Sequence, residues 1–561
     1  MAILLALVVF LPLVGGVCLF LTPRLNYRIA RQVALGIVLV TLLLTFILLV
    51  AFQKHVEGPQ FTNLTSGGYG WSWVEYPNIR FALGLDGISL FLFALTTVLM
   101  ITSVCSSWES VKEQAPAHYG MMLALQTGLL GLFASLDIVL FYIFFEFTLI
   151  PLFFLIGIYG GPERRRAAIT FFLYTLAGSL LTLLGVIFLV LVNYLHGGDH
   201  VLTFSSPELT RGLAAMDWGE WKSTAWSSPQ VLIFLLLFAG FAIKVPLFPF
   251  HTWLPLAHVQ APTAGSVLLA GVLLKVGGYG FLRFSLAMTP LGAQVLFPML
   301  ATIAVTGIIY GALTALAQKD VKKLVAYSSV SHMGFVALGM FSFTPTGLDG
   351  SLIQMINHGI TTGALFACVG VFYERYHTRE IDELSGLWAR LPLLAFFFIL
   401  TALGSAALPG LNGFVGEFPI LVGMFSRSRP AAILGATGMI LGAYYLFWML
   451  QHVIFGPLRE PHAREHGAHA AAAIRPVGWH EVLGLGPLMV LIVAIGVYPR
   501  PLFERMRPAL MPITTRLAAA GAALEMQTAA PLALQVPATP VAPQGRAMPV
   551  VTPAKAKDRR P

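Results

Sequence analysis

The chain has 561 residues, of which 57% are hydrophobic and only 11% are charged. Soluble domains carry about 25% charged residues, and a soluble chain this apolar would lack the polar side chains to cover its surface. The composition therefore excludes a soluble globular enzyme, a disordered chain and a fibrous protein, and it predicts an all-α polytopic membrane protein. The net charge of +9 fits basic residues in short loops between apolar runs, so it does not indicate nucleic-acid binding.

Fourteen apolar segments are long enough to cross a bilayer, which takes about 20 residues. The first has no basic stretch before it and no small-residue cleavage site, so we interpret it as a transmembrane helix rather than a signal peptide. The predicted spans cover residues 2–22, 31–52, 83–105, 118–135, 137–157, 168–192, 231–256, 262–284, 295–317, 323–343, 351–373, 393–425, 430–455 and 481–498.

The distribution of Lys and Arg predicts the orientation of these spans. With the N-terminus outside the cytoplasm, the loops after odd-numbered spans hold more than twice as many basic residues as the loops after even-numbered spans. Membrane proteins carry such an excess on the cytoplasmic side, so we expect both termini on the periplasmic side of a bacterial inner membrane. After the last span, residues 500–527 predict an amphipathic interfacial helix, and the Pro-rich and Ala-rich residues 531–561 predict a disordered tail.

Six ionisable side chains fall near the middle of predicted spans, where each charge costs at least about 2.5–3.5 kcal/mol. They are Glu146, Lys244, Lys275, His332, His358 and Glu417. One interpretation is an inert buried ion pair between Glu146 and Lys244 that holds two helices together. That pair leaves Lys275, Glu417 and the histidines unexplained, so we favour a relay of titratable groups at one depth.

Two of the spans are interrupted by helix-breaking residues. The segment KVPLFPFHTWLP (244–255) places Pro246 and Pro249 after Lys244, and LPGLNGFVGEF (408–418) places Pro409 before Glu417. Broken helices are tolerated in lipid only beside protein or a water-filled cavity, and paired breaks point to a transport site between inverted repeats. Spans 4–8 and 9–13 would form two five-helix repeats, with a broken helix fourth in each.

The remaining polar residues are weaker signals. His251 and His258 are about 10 Å apart along an intact helix, too far to share a metal ion. Ser328 lies one turn before His332 and Thr362 one turn after His358, which suits either a hydrated path or hydrogen bonds between helices. A haem held by His332 and His358 also stays open. The three cysteines are scattered and form no CxxC pair, so no disulfide, zinc site or iron–sulfur cluster is predicted.

These features divide the chain into five predicted regions. They are three N-terminal helices (1–117), a first five-helix repeat (118–284), an inverted second repeat (295–455), a last loop and helix (456–498), and an interfacial helix with a disordered tail (499–561).

Several long motifs resemble one known family, the antiporter-like membrane subunits of respiratory complex I (NADH:quinone oxidoreductase), and most closely its subunit M or chain-4 type. The resembling stretches lie between spans 3 and 12. They are LGLDGISLF (83–91), FYIFFEFTLIPLFFLIGIYGG (141–161), KVPLFPFHTWLPLAHVQAPTAGSVLLAGVLLKVGGYGFLRF (244–284), QKDVKKLVAYSSVSHMGFVALG (318–339), INHGITTGALFACVGVFYERYHTR (356–379) and LPGLNGFVGEFPILVG (408–423).

The resemblance implies fourteen helices with two inverted five-helix repeats, and proton translocation driven by electron transfer from NADH to quinone on other subunits. It implies no cofactor on this chain, with FMN, iron–sulfur clusters and quinone held elsewhere, and antiporter-like subunits L and N as neighbours. By motif, the six mid-span residues match the family's relay. Leu256 departs from the family pattern, which has an aspartate there, and this leaves the hydrogen-bond partner of His251 or His258 open.

Three rival functions remain at this point. A subunit of a multi-chain Na⁺/H⁺ antiporter, or of a related membrane-bound hydrogenase, would share the fold, but the resemblance leads us to expect lysine at the position of Glu417 in the antiporters. A haem-binding electron carrier and a purely structural membrane anchor are the other two.

Overall fold

The computed structural model describes residues 1–65, 68–197, 200–216, 225–459 and 475–533, and these residues are mostly α-helical. Ten helices in this part are long and apolar enough to cross a membrane, which confirms a polytopic membrane protein. The predicted disordered tail, apart from the residues up to 533, lies outside the described residues.

The helices follow the predicted spans closely. In the first half they are α1 (Ala2–Leu21), α2 (Tyr27–Ala51), α3 (Ser89–Ser106), α4 (Ala115–Ala134), α5 (Ile138–Phe147), α6 (Leu149–Tyr159), α7 (Arg164–His196), α8 (Ser206–Ala215), α9 (Pro229–Lys244), α10 (Trp253–Gln260), α11 (Thr263–Leu268) and α12 (Leu274–Gly280). In the second half they are α13 (Pro290–Val295), α14 (Phe297–Leu316), α15 (Val321–Met340), α16 (Pro345–Tyr376), α17 (Pro392–Ser405), α18 (Asn412–Arg427), α19 (Arg429–Val453), α20 (Trp479–Val497) and α21 (Arg500–Ala533).

A small β-structure occupies the loop between α2 and α3, where no strand was predicted. Strands β1 (Leu64–Thr65) and β2 (Gly68–Tyr69) pair antiparallel, as do β3 (Trp71–Val74) and β4 (Ile79–Phe81). Asp137 holds β4 beside the membrane helices, because its carboxylate accepts from the backbone N–H of Arg80 and from two amides in the first turn of α5. Hairpins this short carry too few residues to give a clear alternating pattern.

The predicted span 231–256 consists of two helices with an irregular link at residues 245–252. Prolines in this link lack the N–H groups that would continue the helix of α9. The indole N–H of Trp253 donates to the carbonyl of Ile243 at 3.0 Å, so a carbonyl next to the break is satisfied inside the protein. Lys244 is therefore the last residue of α9 rather than the middle of a continuous helix.

The predicted span 393–425 is broken in the same way at residues 406–411, between α17 and α18. Ala407 (φ 55°) and Gly410 (φ 90°) have left-handed backbone conformations, which no α-helix contains. Gly413 then brings α18 so close to α17 that an added Cβ would lie 2.1 Å from the carbonyl oxygen of Gly404. Both helix breaks proposed from the sequence are present.

Helix α21 lies across the ends of several membrane helices and contacts α13 and α16. Near its start, the Glu504 carboxylate accepts from Lys54 and Arg500, and these hydrogen bonds lower the pKa of Glu504 to about 2. The carboxylate therefore stays ionised across physiological pH. The backbone of Arg505 packs directly on Gly87, where an added Cβ would lie 2.2 Å from a carbonyl oxygen.

Gly87 adjoins a buried ion pair that joins α3 to the helix carrying Lys275. Arg283 donates two parallel hydrogen bonds to the Asp86 carboxylate, at 2.7 and 2.8 Å. The Asp86 side chain is 9% exposed and the Arg283 side chain 20%. Because the same carboxylate also accepts from the amides of Ile88 and Ser89, it fixes the start of α3.

Asp86→Asn is expected to destabilise the protein by about 2–3 kcal/mol, because it leaves the largely buried guanidinium of Arg283 without a countercharge. The measurement is the thermal unfolding midpoint of the purified complex that contains this chain. Arg500→Gln, which removes one partner of an exposed pair, is the control and should not change the midpoint. Equal midpoints for Asp86→Asn and the wild type would contradict this prediction.

Candidate functional site

The ionisable side chains singled out in the sequence lie in two groups between the helices. Glu146 and Lys244 form the first group, on α5 and at the end of α9. Lys275, His358, His332 and Glu417 form the second group, on α12, α16, α15 and α18. All except Glu146, which is half-buried, are buried.

Lys244 has an unusual environment for a charged side chain. Its ammonium lies 4.8 Å from the ring centroid of Phe145 and 5.9 Å from that of Phe171. It has no hydrogen-bond partner among the described residues, and neither has the Oε1 atom of Glu146. The two groups are in electrostatic range of each other without forming a contact ion pair, and the aromatic faces add cation–π stabilisation to a charged Lys244.

Helices α9 and α12 cross beside the two lysines. Gly277 lies at the crossing, where an added Cβ would be 2.8 Å from the carbonyl oxygen of Phe241 and 2.9 Å from the amide of Val245. Lys244 precedes Val245, and Lys275 lies two residues before Gly277. The absence of a side chain at Gly277 thus allows the backbones that carry the two lysines to approach closely.

Lys275 sits between two π-helical turns, Leu269–Leu273 and Phe281–Leu286. A π-helical turn widens the hydrogen-bonding pattern and is often found at functional sites. The ammonium of Lys275 donates to the carbonyl of Ala270 in the first of these turns. It also lies 2.8 Å from Nδ1 of His358, which must accept because an ammonium can only donate.

The imidazole of His332 follows that of His358 and leads to Glu417. The rings of His358 and His332 are 5.6 Å apart between centroids, and His332 Nδ1 lies 2.7 Å from Glu417 Oε1. Gln354 donates to the same carboxylate oxygen at 2.9 Å. Lys275, His358, His332 and Glu417 therefore form one continuous buried row.

Sequence reasoning missed several polar residues that hold this row. Ser405 and Tyr445 each place a hydroxyl 3.2 Å from Nε2 of His332, so both nitrogens of that ring are engaged. Ser405 directly precedes the second helix break, and Gln354 lies one turn before His358 on the same helix face. These positions in the sequence could have identified both residues as neighbours of the histidines. Nothing in the sequence around Tyr445 marks it out.

The supporting residues predicted from the sequence differ in whether they lie near the row. The Ser328 hydroxyl bonds the Val325 carbonyl and lies near Tyr445, while Thr362 is buried with an unpaired hydroxyl. His258 stacks on Phe366, with ring centroids 4.6 Å apart. Pro246 and Pro249 lie in the first break, and Pro409 is exposed in the second.

His251 does not join the row. Its ring packs edge-on against Tyr310 of α14 at 5.0 Å. Its Nδ1 atom and both ring nitrogens of His258 have no hydrogen-bond partner within the described ranges. Leu256, the departure from the family pattern, lies between these two histidines in sequence and supplies no polar group to either of them.

The geometry argues against a haem between His332 and His358. An axial ligand needs a free ring nitrogen aimed at the iron, but both nitrogens of His332 face Glu417, Ser405 and Tyr445. The cavity between the two rings has no room even for a water molecule, so a porphyrin cannot fit there.

Comparison with known proteins agrees with the motif resemblance. The family described as NADH:quinone oxidoreductase/Mrp antiporter, transmembrane, matches residues 135–442. The NADH-quinone oxidoreductase subunit M of Rhodobacter capsulatus is 41% identical over 501 residues, which cover 88% of this chain and 93% of that protein.

Two solved structures have a similar fold. A chain of respiratory complex I from Thermus thermophilus with bound NADH aligns with a TM-score of 0.75 and 31% identity, covering 92% of this chain and 99% of its own. A chain of the Mrp complex from Dietzia sp. DQ12-45-1b aligns with a TM-score of 0.73 over 94% of this chain and 99% of its own, but at 20% identity it shows the fold alone.

The helices, the two breaks and the buried ionisable row define a class of polytopic membrane protein with charged groups in its interior. The chain belongs to the NADH:quinone oxidoreductase/Mrp antiporter family, and it is similar to subunit M proteins over nearly their whole length. The resemblance inferred from the motifs is thereby confirmed.

Gly413→Ala is expected to destabilise the protein by about 1–3 kcal/mol, because the new methyl group overlaps the Gly404 carbonyl and forces α17 and α18 apart. The measurement is the thermal unfolding midpoint of the purified protein. Gly36→Ala in α2 is the matched control: nothing lies within 4 Å of its added Cβ, and replacing a helical glycine with alanine should leave stability unchanged or raise it. A drop of the same size in both variants would refute the close-approach explanation.

Proposed function

We propose that the chain is the proton-translocating membrane subunit, of the subunit M or chain-4 type, of a complex I-type NADH:quinone oxidoreductase. The observation that carries the proposal is the contact row from Lys275 through His358 and His332 to Glu417. A proton that leaves Lys275 can pass to His358 Nδ1, from His358 Nε2 to His332 Nε2, and from His332 Nδ1 to the Glu417 carboxylate. Histidine suits such a transfer because each ring binds and releases protons on two sides.

Glu146 and Lys244 act as the separate loading pair in this proposal. Because Lys244 has no hydrogen-bond partner among the described residues, its charge depends strongly on the state of Glu146 and on local hydration. An ionised Glu146 favours the ammonium form, and withdrawal of that influence favours release of the proton towards Lys275. The unpaired groups support a switch over an inert ion pair, which would be satisfied in place.

A large cavity supports proton uptake from the side that the basic loops predict to be cytoplasmic. Its volume is about 1060 Å³, and charged residues line it, among them Glu109 after α3, Lys322 in the first turn of α15 and Arg375 in the last turn of α16. Lys322 donates to the carbonyl of Ala261 in its wall. The imidazole of His258 is influenced electrostatically by both Lys322 and Lys275, and in this proposal it is the group between the cavity and the row.

The proposal includes the finer architecture implied by the resemblance: fourteen spans, two inverted repeats over spans 4–8 and 9–13, and both termini on the periplasmic side of a bacterial inner membrane. The matched positions of the two breaks support the repeats. The partners are the neighbouring antiporter-like subunits L and N. Electron transfer from NADH through FMN and iron–sulfur clusters to quinone takes place on other subunits.

A subunit of a Na⁺/H⁺ antiporter is the second candidate, supported by the fold shared with the Mrp complex. Glu417 argues for the first candidate, because the resemblance leads us to expect a lysine at this position in antiporters. Proton pumping driven by NADH in sodium-free medium would separate the two functions, since an antiporter subunit needs Na⁺ as its counter-ion.

Replacing Lys244 with Ala or Glu146 with Gln should lower NADH-driven proton pumping by at least about tenfold, since positioned proton-transfer groups contribute about 10²–10⁴-fold to transfer rates. The measurement is acidification of inverted vesicles or proteoliposomes that contain the assembled complex, with NADH oxidation in the presence of an uncoupler as a check of assembly. Lys323→Ala, which removes an exposed lysine of α15, is the control. Wild-type pumping by a fully assembled Lys244→Ala complex would rule out the assignment.

A further inference from the structure

Two asparagines meet where the second broken helix resumes. Asn357 of α16 donates its amide to the backbone carbonyl of Asn412 at 2.6 Å, and Asn412 donates its own amide to the backbone carbonyl of Asn357 at 3.4 Å. Both side chains are fully buried. This reciprocal pair, which we name the asparagine clasp, joins the first residue of α18 to the middle of α16.

The clasp fixes the part of the structure that carries Glu417. Asn412 precedes Glu417 by five residues on α18, and Asn357 lies beside His358 on α16. Gln354, one turn before Asn357, holds the Glu417 carboxylate directly. Because residues 406–411 are not helical, α17 does not hold α18 in register through a continuous backbone. The side chains of α16 supply that restraint instead.

The clasp also borders the small cavity between the two imidazoles. The cavity is lined by His332, His358, Asn357 and Ser405, together with Gln354, Thr361, Gly404 and Gly413. Three residues that line it carry buried polar atoms with no hydrogen-bond partner among the described residues: Oδ1 of Asn357, Oε1 of Gln354 and Nε2 of His358. The cavity has no room for a water molecule, so the positions of these side chains depend on protein contacts alone.

We propose that Asn357 and Asn412 are positioning residues of the proton path. Their clasp holds Glu417 on His332 and keeps His332 next to His358, at 5.6 Å between the ring centroids. The inference rests on the proposed function, since it concerns how the same row conducts protons.

The test compares Asn357→Leu with Asn193→Leu in the assembled complex. Leucine fills the space of asparagine but removes the amide that donates to the Asn412 carbonyl. Asn193 of α7 is the matched control, since it is also buried and has an unpaired Oδ1 atom, but it does not line the cavity. We expect Asn357→Leu to pump protons at least about fivefold more slowly than the wild type, since a 1 Å misplacement of a reacting group can slow a reaction by roughly 10²-fold. Asn193→Leu should pump as fast as the wild type.

An infrared measurement separates positioning from a general loss of structure. The infrared band of the Glu417 carboxyl group is the band that disappears in Glu417→Gln. This band should shift in Asn357→Leu and stay in place in Asn193→Leu. Normal pumping, or slow pumping with an unshifted band, would overturn the inference. If Asn357→Leu does not assemble, the same two readouts on the milder Asn412→Ser variant decide the question in the same way.

The Glu417→Gln variant keeps this inference distinct from the proposed function. Normal pumping by assembled Glu417→Gln would defeat the proposed function itself. Loss of pumping in Glu417→Gln together with normal pumping in Asn357→Leu would defeat the asparagine clasp alone.

Discussion

The protein is organised by the cost of placing charged side chains among apolar helices. An ammonium or carboxylate in this environment has to meet an opposite charge, a hydrogen-bond partner, an aromatic face or water. The buried residues use all of these in different combinations. Lys275 is held by a carbonyl and an imidazole, and Glu417 by an imidazole and an amide. Lys244 lies beside two aromatic rings and has no hydrogen-bond partner among the described residues, so it is the less satisfied of the two buried lysines.

The irregular backbone segments also lie next to the buried charged groups and supply polar partners for them. Each broken helix removes regular hydrogen bonds where lipid supplies none. At the first break Trp253 satisfies the Ile243 carbonyl, and at the second Asn357 anchors the first residue of α18. The π-helical turn before Lys275 likewise presents the Ala270 carbonyl to the lysine ammonium. Departures from ideal helix therefore occur next to the ionisable groups, where the freed carbonyls and amides can stabilise charge.

The two groups of residues differ in how firmly they are held, and this difference suits their proposed roles. Lys244 has no hydrogen-bond partner among the described residues and forms no contact ion pair with Glu146, so small changes in distance or hydration would alter its charge. The row from Lys275 to Glu417 is fixed by direct contacts from α12, α15, α16 and α18. A loosely held pair can be switched by events in neighbouring subunits, whereas a firmly held row gives a proton a defined path.

The sequence by itself determined the polytopic membrane class and the two helix breaks, and it singled out the six buried or half-buried ionisable residues, because apolar length, proline and charge have strong local effects. It also determined the family through its long motifs. Only the tertiary structure decided which of these residues touch. Local patterns predicted Ser328 and Thr362 as neighbours of the histidines but not Tyr445, Gln354 or the asparagine clasp. Contacts between helices distant in sequence depend on packing and on close approaches such as those at Gly277 and Gly413, and no local pattern encodes them.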